Sequence, residues 1–359
     1  MSVLAVIAVL ALLIVVHELG HFAAARFQGI RVNRFSLGFG PILLKHQGPE
    51  TEYAIRAFPL GGYVGFPDDD PDSEIPPNDP NLLRNRPILD RAIVISAGVI
   101  ANLIFAYFLL VGQATTIGIQ NFQPGVTIPQ VFADAKSVAF QAGIKPGDII
   151  LAINDQKLPA SPEAISLLRE TIQKSANKPL QLTTQRGQET RILAVTPEPG
   201  DEGKGKIGVM LAPNIGLHRA NNIIAAFTLG ADEYQRLTSL TVKGFWQLIS
   251  NFKENAQQVA GPVKIVEYGA AIAANNIGNL FQFAALISIN LAIINILPLP
   301  ALDGGQLAFL AIEGVFGKPL PTKVQDSIMQ TGLVLLLGLG VFLIVRDTMN
   351  LAVFQELFQ

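Results

Sequence analysis

The sequence predicts a polytopic α-helical membrane protein with four transmembrane helices, a membrane-associated β-hairpin and an inserted extracytoplasmic β-rich domain. The chain of 359 residues is 50% hydrophobic and only 15% charged, whereas a soluble domain carries about a quarter charged residues. Its mean hydropathy is +0.39. Four segments have the roughly 20 mostly apolar residues that a helix needs to cross a bilayer. Strand-like runs occupy the interval between the second and the third of them.

The four apolar segments are predicted to be transmembrane helices at 1–25, 92–113, 277–298 and 327–346. The second and third contain no Asp, Glu, Lys, Arg or His, and the fourth contains only its terminal arginine. The first is different, because its second half carries two histidines and a glutamate. Ionisable residues inside a membrane span are costly and usually functional.

Orientation follows from the basic residues that flank the spans, because cytoplasmic loops carry an excess of Lys and Arg. The segment between the third and fourth spans contains Lys318 and Lys323. The segment between the first and second spans contains Arg26, Arg31, Arg34, Lys45, Arg56, Arg84, Arg86 and Arg91. Both segments are therefore predicted to be cytoplasmic, which leaves both chain termini and the long middle segment on the extracytoplasmic side.

Residues 26–91 are predicted to form a cytoplasmic-side β-hairpin followed by an acidic, Pro-rich linker. In two runs, apolar and polar residues nearly alternate: RFSLGF at 34–39 and EYAIRAFPLGGYV at 52–64. They flank a polar turn, which is the pattern of a hairpin. Because it is apolar and directly follows the first span, we expect it to dip toward the membrane, buried against protein or lining a wet cavity. The stretch FPDDDPDSEIPPNDP at 66–80 predicts an irregular solvated linker.

Residues 114–215 are predicted to be the β-rich domain, with one amphipathic helix in PEAISLLRETIQKS at 162–175. The string SVAFQAGIKPGDIILAINDQKL at 137–158 predicts a short helix, a turn set by Pro and Gly, and a buried strand. This string resembles a PDZ domain. The resemblance implies a groove that binds an extended peptide or a chain terminus by strand addition; the alternative is a small β-domain that binds nothing.

Residues 216–266 are predicted to be amphipathic helices lying on the membrane or on the β-rich domain. Apolar side chains recur at helical spacing from Ile223 to Phe252. Charges such as Asp232 and Lys243 interrupt every run before it reaches spanning length. Trp246, the one tryptophan of the chain, suits a position at the membrane interface.

The first span contains the motif HELGH at 17–21. Positions i and i+4 of a helix share a face, so His17 and His21 can grip one metal ion, with Glu18 beside them as a candidate general base. The alternative is a pair of polar residues on a helix-bundle face, which is costly inside a membrane. The motif therefore predicts metal binding.

The third metal ligand is predicted to be Asp303. Catalytic zinc uses three protein ligands and one open position, and neither His46 nor His218 is well placed to be the third. Asp303 follows the third span in NILPLPALDGGQL and is the only acid between Glu267 and Glu313. The first and third spans cross the membrane in the same direction, so the motif and this acid both reach its cytoplasmic half.

These motifs in this order resemble the site-2 protease family of intramembrane zinc metalloproteases, and most of all its bacterial regulator-of-sigma-E protease branch. Further matching stretches are GVIAN at 98–102, GPVKI at 261–265 and VQDSI at 324–328. The sequence has a single PDZ-like domain where that branch often has two. The resemblance implies roles for six residues: Zn²⁺ ligation by His17, His21 and Asp303, water activation by Glu18, and substrate binding or oxyanion stabilisation by Asn290 and Asn295.

The implied function is an intramembrane zinc metalloprotease that hydrolyses peptide bonds within or next to transmembrane segments, in regulated intramembrane proteolysis. Its implied substrates are single-span membrane proteins, such as an anti-sigma factor or a remnant signal peptide, already cleaved outside the membrane by another protease. The implied location is the bacterial inner membrane, with a plastid membrane as the alternative.

Two other functions compete with this interpretation: a PDZ-bearing membrane adaptor with a structural metal, and a zinc-coupled transporter. A closed structural site needs a fourth protein ligand, and the chain has no Cys and no spare His near the motif. A transporter would need polar groups spread through several spans, whereas here they cluster at one depth. With a formal net charge of −2, the chain has no basic field that would indicate a nucleic acid as partner.

Overall fold

The computed structural model describes residues 2–70, 73, 75–132, 137–200, 203–255 and 259–350. Parts of the predicted linker (71, 72, 74), of the β-rich domain (133–136, 201–202) and of the amphipathic segment (256–258) lie outside the described residues, as do the two chain ends. The chain divides into two compact units, Met1–Ile117 with Ala220–Gln359, and Gly118–Arg219. The predicted β-rich segment overlaps the second unit.

The helices of the described residues, numbered in chain order, are α1 (Ser2–Phe27), α2 (Ile88–Thr116), α3 (Val138–Gln141), α4 (Glu163–Gln173), α5 (Ile223–Ser250), α6 (Phe252–Asn255), α7 (Pro262–Asn275), α8 (Leu280–Ile296), α9 (Asp303–Phe316) and α10 (Thr322–Met349). The strands are β1 (Arg34–Gln47), β2 (Glu52–Gly65), β3 (Ile119–Val131), β4 (Ile149–Ile153), β5 (Gln156–Lys157), β6 (Leu180–Arg186), β7 (Glu189–Val195), β8 (Glu198–Pro199), β9 (Gly205–Lys206) and β10 (Val209–His218).

Four of the described helices are long and apolar enough to cross a membrane, judged by length and composition. They comprise Ser2–Phe27, Ile88–Thr116, Ile277–Ile296 and Thr322–Met349. The prediction of four spans is confirmed at this level. The third span is α8 together with the single helical turn that precedes it.

The long helix α2 lies at the centre of the first unit, where it packs against α1, α5, α8 and α9. Its buried residues recur every three or four positions, as they must on a helix with one packed face. The contact with α5 and α8 forms an apolar core of Ala106, Leu110, Leu237, Ala285 and Ile289. By contrast, α10 leaves most of its apolar side chains exposed, which suits a helix that faces lipid.

Strands β1 and β2 form a small sheet that folds back on itself. The second half of β1, 42–47, pairs antiparallel with the first half of β2, as in a hairpin. The first half of β1, 34–37, runs parallel to that same part of β2 and antiparallel to 62–65. Gly38, between the two halves of β1, has a φ of +87°, which only glycine adopts without steric cost. In the described sheet, 62–65 is therefore an edge.

Acidic side chains between this sheet and α2 pair with arginines. Asp68 forms an ion pair with Arg84 at 3.1 Å, and Asp70 forms one with Arg34 at 3.0 Å. Asp79 forms an ion pair with Arg31, which precedes β1. The three carboxylates are only 10–16% exposed. These ion pairs hold the acidic segment against the sheet.

The second unit is a sheet with one amphipathic helix against it. The strand order is β10-β3-β4-β6-β7, all neighbours antiparallel, so β10 is an edge strand. Helix α4 packs Leu168 and Ile172 into an apolar core with Ile128, Ile150 and Leu182. The short helix, turn and buried strand expected from the sequence occur in that order as α3, the residues before β4, and β4 itself.

The turn before β4 is held by the carboxylate of Asp148, which is fully buried. Arg186 donates to it from Nε and Nη2 at 2.7 and 2.8 Å, and the N–H of Lys145 donates at 2.8 Å. Burial alone would raise the pKa of Asp148, but the hydrogen bonds from Arg186 and Lys145 outweigh it and lower the pKa below its ordinary value. The ionised carboxylate therefore stabilises the folded unit.

We expect Asp148→Asn to lower the free energy of unfolding of the second unit by about 2 kcal/mol at pH 7, because Arg186 loses a charged acceptor. The folded pKa is lowered, so the stabilisation is complete above the unfolded pKa of about 3.9 and is lost as the pH falls through the folded value. Wild type and variant should therefore converge in strongly acidic solution. Hydrogen exchange of the β4 amides in the full chain measures the difference.

The control is Asp155→Asn, which makes the same change at an exposed carboxylate just after β4. It should alter the free energy of unfolding by less than about 0.5 kcal/mol. Equal protection of the β4 amides in wild type and Asp148→Asn at pH 7 would show that the ion pair does not stabilise this turn.

Candidate metal centre

Helix α1 carries the two histidines on the face that meets α2. His17 and His21 lie one turn apart, and their Nε2 atoms are 3.2 Å from each other. Each side chain is 12% exposed, and the two ring planes stand at 88°. The two Nε2 atoms therefore point toward one place.

A break between α8 and α9 brings Asp303 to the same place. Helix α8 ends at Ile296, since Pro298 and Pro300 follow and proline cannot continue a helix, and α9 begins at Asp303 itself. A Cβ on Gly304 would stand 2.1 Å from the carbonyl oxygen of the residue that caps α8. Only glycine lets the first turn of α9 fold so closely onto the end of α8.

Three atoms with lone pairs converge at this point. Oδ2 of Asp303 lies 3.3 Å from Nε2 of His17 and 3.5 Å from Nε2 of His21. Charge-assisted hydrogen bonds are shorter, about 2.7–2.9 Å, and Oδ2 is buried without a hydrogen-bond partner. A buried oxygen of this kind is costly unless another group satisfies it.

The separations fit a tetrahedral metal ion. Ligand atoms 2.0–2.2 Å from such an ion stand about 3.3–3.6 Å apart, close to the observed 3.2, 3.3 and 3.5 Å. Among the described residues, His17, His21 and Asp303 are the group of His and acidic side chains that could hold a metal ion. Three protein ligands leave one position open, which is the arrangement of a catalytic zinc site.

Glu18 stands beside this trio and next to the small sheet. The edge segment 62–65 runs so close that a Cβ on Gly62 would lie 2.9 Å from Cγ of Glu18. Glu18 directly follows His17 on α1, so it lies beside the trio, where the predicted general base would have to be.

Helix α2 forms the opposite wall of the site. A Cβ on Gly98 would lie 2.3 Å from Nε2 of His21 and 2.7 Å from Cε1 of His17. In the same interface, a Cβ on Gly20 would meet the carbonyl oxygen of Ala97 at 2.5 Å. Small residues let helices in a membrane approach this closely, so the two glycines allow the imidazoles to lie against the α2 backbone.

The α2 backbone also orients one of the imidazoles. Nδ1 of His21 lies 2.8 Å from the carbonyl oxygen of Val94. A carbonyl can only accept, so this nitrogen carries the proton and Nε2 keeps its lone pair. That is the tautomer in which His21 can bind a metal through Nε2.

The two predicted asparagines of α8 differ in their relation to the site. Nδ2 of Asn295 lies 3.2 Å from Nε2 of His17, so this side chain borders the trio. Asn290 is half-buried on the same helix, and in the described part of the chain no hydrogen bond joins it to the trio. The structure thus brings Asn295, together with the trio and Glu18, into one site.

An ion pair between α2 and α9 fixes the helix that begins with Asp303. Arg91 donates from Nη1 and Nη2 to the two carboxylate oxygens of Glu313, at 3.0 and 2.5 Å. Both side chains are 15% exposed. Such a bidentate pair fixes orientation as well as distance, so it holds α9 to the helix that walls the two histidines.

Sequence reasoning missed these supports of the site. Gly98 lies in the matching stretch GVIAN, and a glycine in an apolar span is itself a signal of close helix approach. Arg91 and Glu313 are 222 positions apart in the chain. Nothing local in the sequence connects those two residues.

We expect Gly98→Ala to abolish or greatly weaken metal binding, because its Cβ would occupy space taken by both imidazoles. The measurement is the metal bound per chain in purified protein, with a helix-content check by circular dichroism. The control is Gly112→Ala on the same helix, whose Cβ would make only an ordinary contact with Phe281 at 3.5 Å. Full metal content in Gly98→Ala would refute the close approach described above.

Comparisons with known proteins show the family to which this chain belongs. The sequence pattern of peptidase family M50 matches residues 5–339. A protein of Synechocystis named as a zinc metalloprotease is 66% identical over 356 residues, covering 99% of this chain and 97% of its own length. The chloroplastic membrane metalloprotease ARASP of Arabidopsis thaliana is 48% identical, covering 99% and 80%.

A more distant relative is the regulator of sigma-W protease of Bacillus subtilis, RasP, which is 28% identical over 431 residues and covers 98% of this chain and 99% of its own. The family match spans more than half of the chain, and it includes both histidines and Asp303. The chain therefore belongs to peptidase family M50, the site-2 protease family, and is a zinc metalloendopeptidase.

Proposed function

We propose that this protein hydrolyses peptide bonds within or next to the transmembrane segments of single-span membrane proteins. His17, His21 and Asp303 hold the zinc ion, and Glu18 is the general base. The observation that carries the proposal is the convergence of three lone-pair atoms 3.2–3.5 Å apart, two of which belong to histidines of a helix apolar enough to span a membrane.

Each residue of the site has a separate task. When bound, zinc supplies a Lewis acid that polarises the scissile carbonyl and acidifies water. Glu18 takes the proton from the water and passes it to the leaving amine. Asn295, which borders the trio, donates to the substrate carbonyl and stabilises its developing negative charge. Asn290 is proposed to contribute to substrate binding from the same helix, on the family resemblance alone.

The embedded site selects membrane peptides as substrates. A transmembrane helix uses its carbonyl oxygens in intrahelical hydrogen bonds, so the substrate must unwind locally before attack. The trio is only 12–15% exposed, which favours an extended chain over a folded domain as the substrate. On the family resemblance, the proposed substrate is a single-span protein that another protease has already trimmed outside the membrane. An anti-sigma factor or a remnant signal peptide has this form.

The excess of Lys and Arg between the first and second spans supports a topology with the metal site toward the cytoplasm. Both termini and the PDZ-like unit are then extracytoplasmic. We place the protein in the inner membrane of a bacterium, which the similarity to the Synechocystis protein supports. A plastid membrane is the alternative, since the ARASP protein is chloroplastic.

A groove in the second unit supports peptide capture by the PDZ-like domain. A cavity of about 730 Å³ lies between α4 and the segment around β9 and the start of β10. Because β10 is an edge strand, its outer backbone groups can pair with an added strand. Arg169 and Lys206 line the groove, and within the described residues neither has an ion-pair partner. Their charge suits the carboxylate at the C-terminus of a trimmed chain.

We expect Glu18→Gln to lower kcat for cleavage of a single-span substrate by about 10²–10⁴-fold, since general base catalysis contributes that much. Zinc content should stay at the wild-type level, because Glu18 is not a ligand. The assay uses purified full-length protein with a substrate labelled on both sides of its span. The control is Glu189→Gln, the same change at an exposed residue of β7, which should leave kcat unchanged.

Cleavage at the wild-type rate by zinc-loaded Glu18→Gln would refute the proposed mechanism. The same assay compares a trimmed substrate with one that retains its extracytoplasmic domain. Equal rates for the two would contradict the requirement for prior cleavage while leaving the mechanism intact.

We expect the double variant Arg169→Ala, Lys206→Ala to bind a trimmed substrate's C-terminal peptide at least tenfold more weakly than wild type. The physical reason is the loss of two cations that face the carboxylate. Fluorescence anisotropy with the full-length protein in detergent measures the affinity, and a C-terminally amidated peptide tests the carboxylate itself. Lys178→Ala, on an exposed lysine outside the groove, is the control. Equal affinity for acid and amide peptides would contradict terminus capture.

A further inference from the structure

Helix α2 presents three residues to the two imidazoles at a spacing of four. Val94, Gly98 and Asn102 share one face of the helix. The Val94 carbonyl accepts from Nδ1 of His21 at 2.8 Å, and Gly98 makes room for both rings. Asn102 completes the row, with Nδ2 3.4 Å from Nδ1 of His17. Nδ1 of each histidine thus faces a polar group of α2: the Val94 carbonyl for His21 and the Asn102 amide for His17.

Metal binding through Nε2 determines which kind of hydrogen-bond partner the other ring nitrogen, Nδ1, requires. A histidine that binds metal through Nε2 carries its proton on Nδ1, and that N–H needs an acceptor. Val94 supplies the acceptor for His21. For His17 the group within reach is the Asn102 amide, whose Oδ1 can accept and whose Nδ2 can only donate. The amide must therefore be turned so that Oδ1 faces the ring.

The burial of Asn102 also indicates that its Oδ1 should face a hydrogen-bond donor. The residue is fully buried in a helix apolar enough to span a membrane, and its Oδ1 has no hydrogen-bond partner when Nδ2 faces His17. An unpaired buried carbonyl costs free energy. A half-turn of the amide exchanges O and N at almost no change in shape. Oδ1 then accepts the Nδ1–H of His17, and Nδ2 takes the position that Oδ1 leaves.

The backbone of Asn102 is held in place independently of its side chain. Oγ of Ser288 on α8 donates to the backbone carbonyl of Asn102 at 2.8 Å. This bond ties α2 to the helix that leads into the Asp303 break. Asn102 therefore lies where α2 meets both α1 and α8.

We propose that Asn102 is a positioning residue of the metal centre: its Oδ1 accepts the Nδ1–H of His17 and so holds Nε2 toward the zinc ion. Asn102 does not touch substrate or metal. It acts through His17, and the proposal rests on the assignment of His17 as a ligand under the proposed function. An amide that served only to pack α2 against α8 would have no effect on zinc affinity.

The test measures zinc affinity rather than activity. Zinc is titrated into metal-free full-length protein in competition with a chelator of known affinity, for wild type, Asn102→Leu and Asn102→Asp. Loss of a group that orients a metal-bound histidine costs about 10–100-fold in affinity, so we expect that loss in Asn102→Leu. The carboxylate of Asn102→Asp can still accept from Nδ1–H and should keep the affinity within about threefold of wild type.

Two further variants make the outcome decisive. Ser288→Ala removes the neighbouring hydrogen bond without touching His17 and should leave zinc affinity unchanged. His17→Ala should lose zinc almost completely, and retention of zinc in that variant would overturn the ligand assignment itself. If His17→Ala loses zinc but Asn102→Leu binds it as wild type does, only the role of Asn102 is refuted.

A spectroscopic readout separates positioning from folding. Circular dichroism of the metal-free variants reports whether α2 still packs, and Asn102→Ala, which adds no bulk, replaces the leucine variant if that one does not fold. Cobalt substituted for zinc reports ligand geometry through its visible absorption. We expect a changed cobalt spectrum in the apolar variants and a near-wild-type spectrum in Asn102→Asp. Identical spectra in all variants would overturn the proposal.

Discussion

The metal centre depends on the close contact between α1 and α2. Two imidazoles can share one metal only if something holds both rings on the same side of α1, and the backbone of α2 does this at Gly98. Gly20 allows the approach from the other helix. In a membrane, helix association gains nothing from burying apolar surface, because lipid is itself apolar. Close backbone packing and hydrogen bonds such as that from His21 to Val94 must therefore hold the site together.

The proposed third ligand poses a different problem, because Asp303 has to enter the site from another helix. The break after α8 turns the chain so that a helix begins at the ligand itself, and Gly304 lets that new helix fold against the end of the old one. The bidentate pair between Arg91 and Glu313 then ties the far part of α9 to α2. The two histidines and the helix that begins at Asp303 are therefore both held by contacts with the single helix α2.

Local sequence patterns are sufficient to predict much of the structure of this protein. Apolar stretches with few or no charges located the four spans, since a helix that crosses a membrane must be mostly apolar. The i, i+4 spacing of His17 and His21 put them on one face, since the period of a helix is fixed by its backbone. The prolines and glycines around Asp303 marked a turn, because their backbone preferences are intrinsic. The family resemblance added the ligand set and the chemistry.

The sequence by itself determined which residues could bind metal and where the chain crosses the membrane, because both follow from local chemistry and periodicity. Tertiary structure alone decided what surrounds the metal. Asn295 reaches His17 across 278 positions of the chain, and Arg91 reaches Glu313 across 222. It also decided that 34–37 pairs with two parts of β2 at once. Such contacts depend on how whole elements pack, and no local pattern records which partner a buried amide or charge will meet.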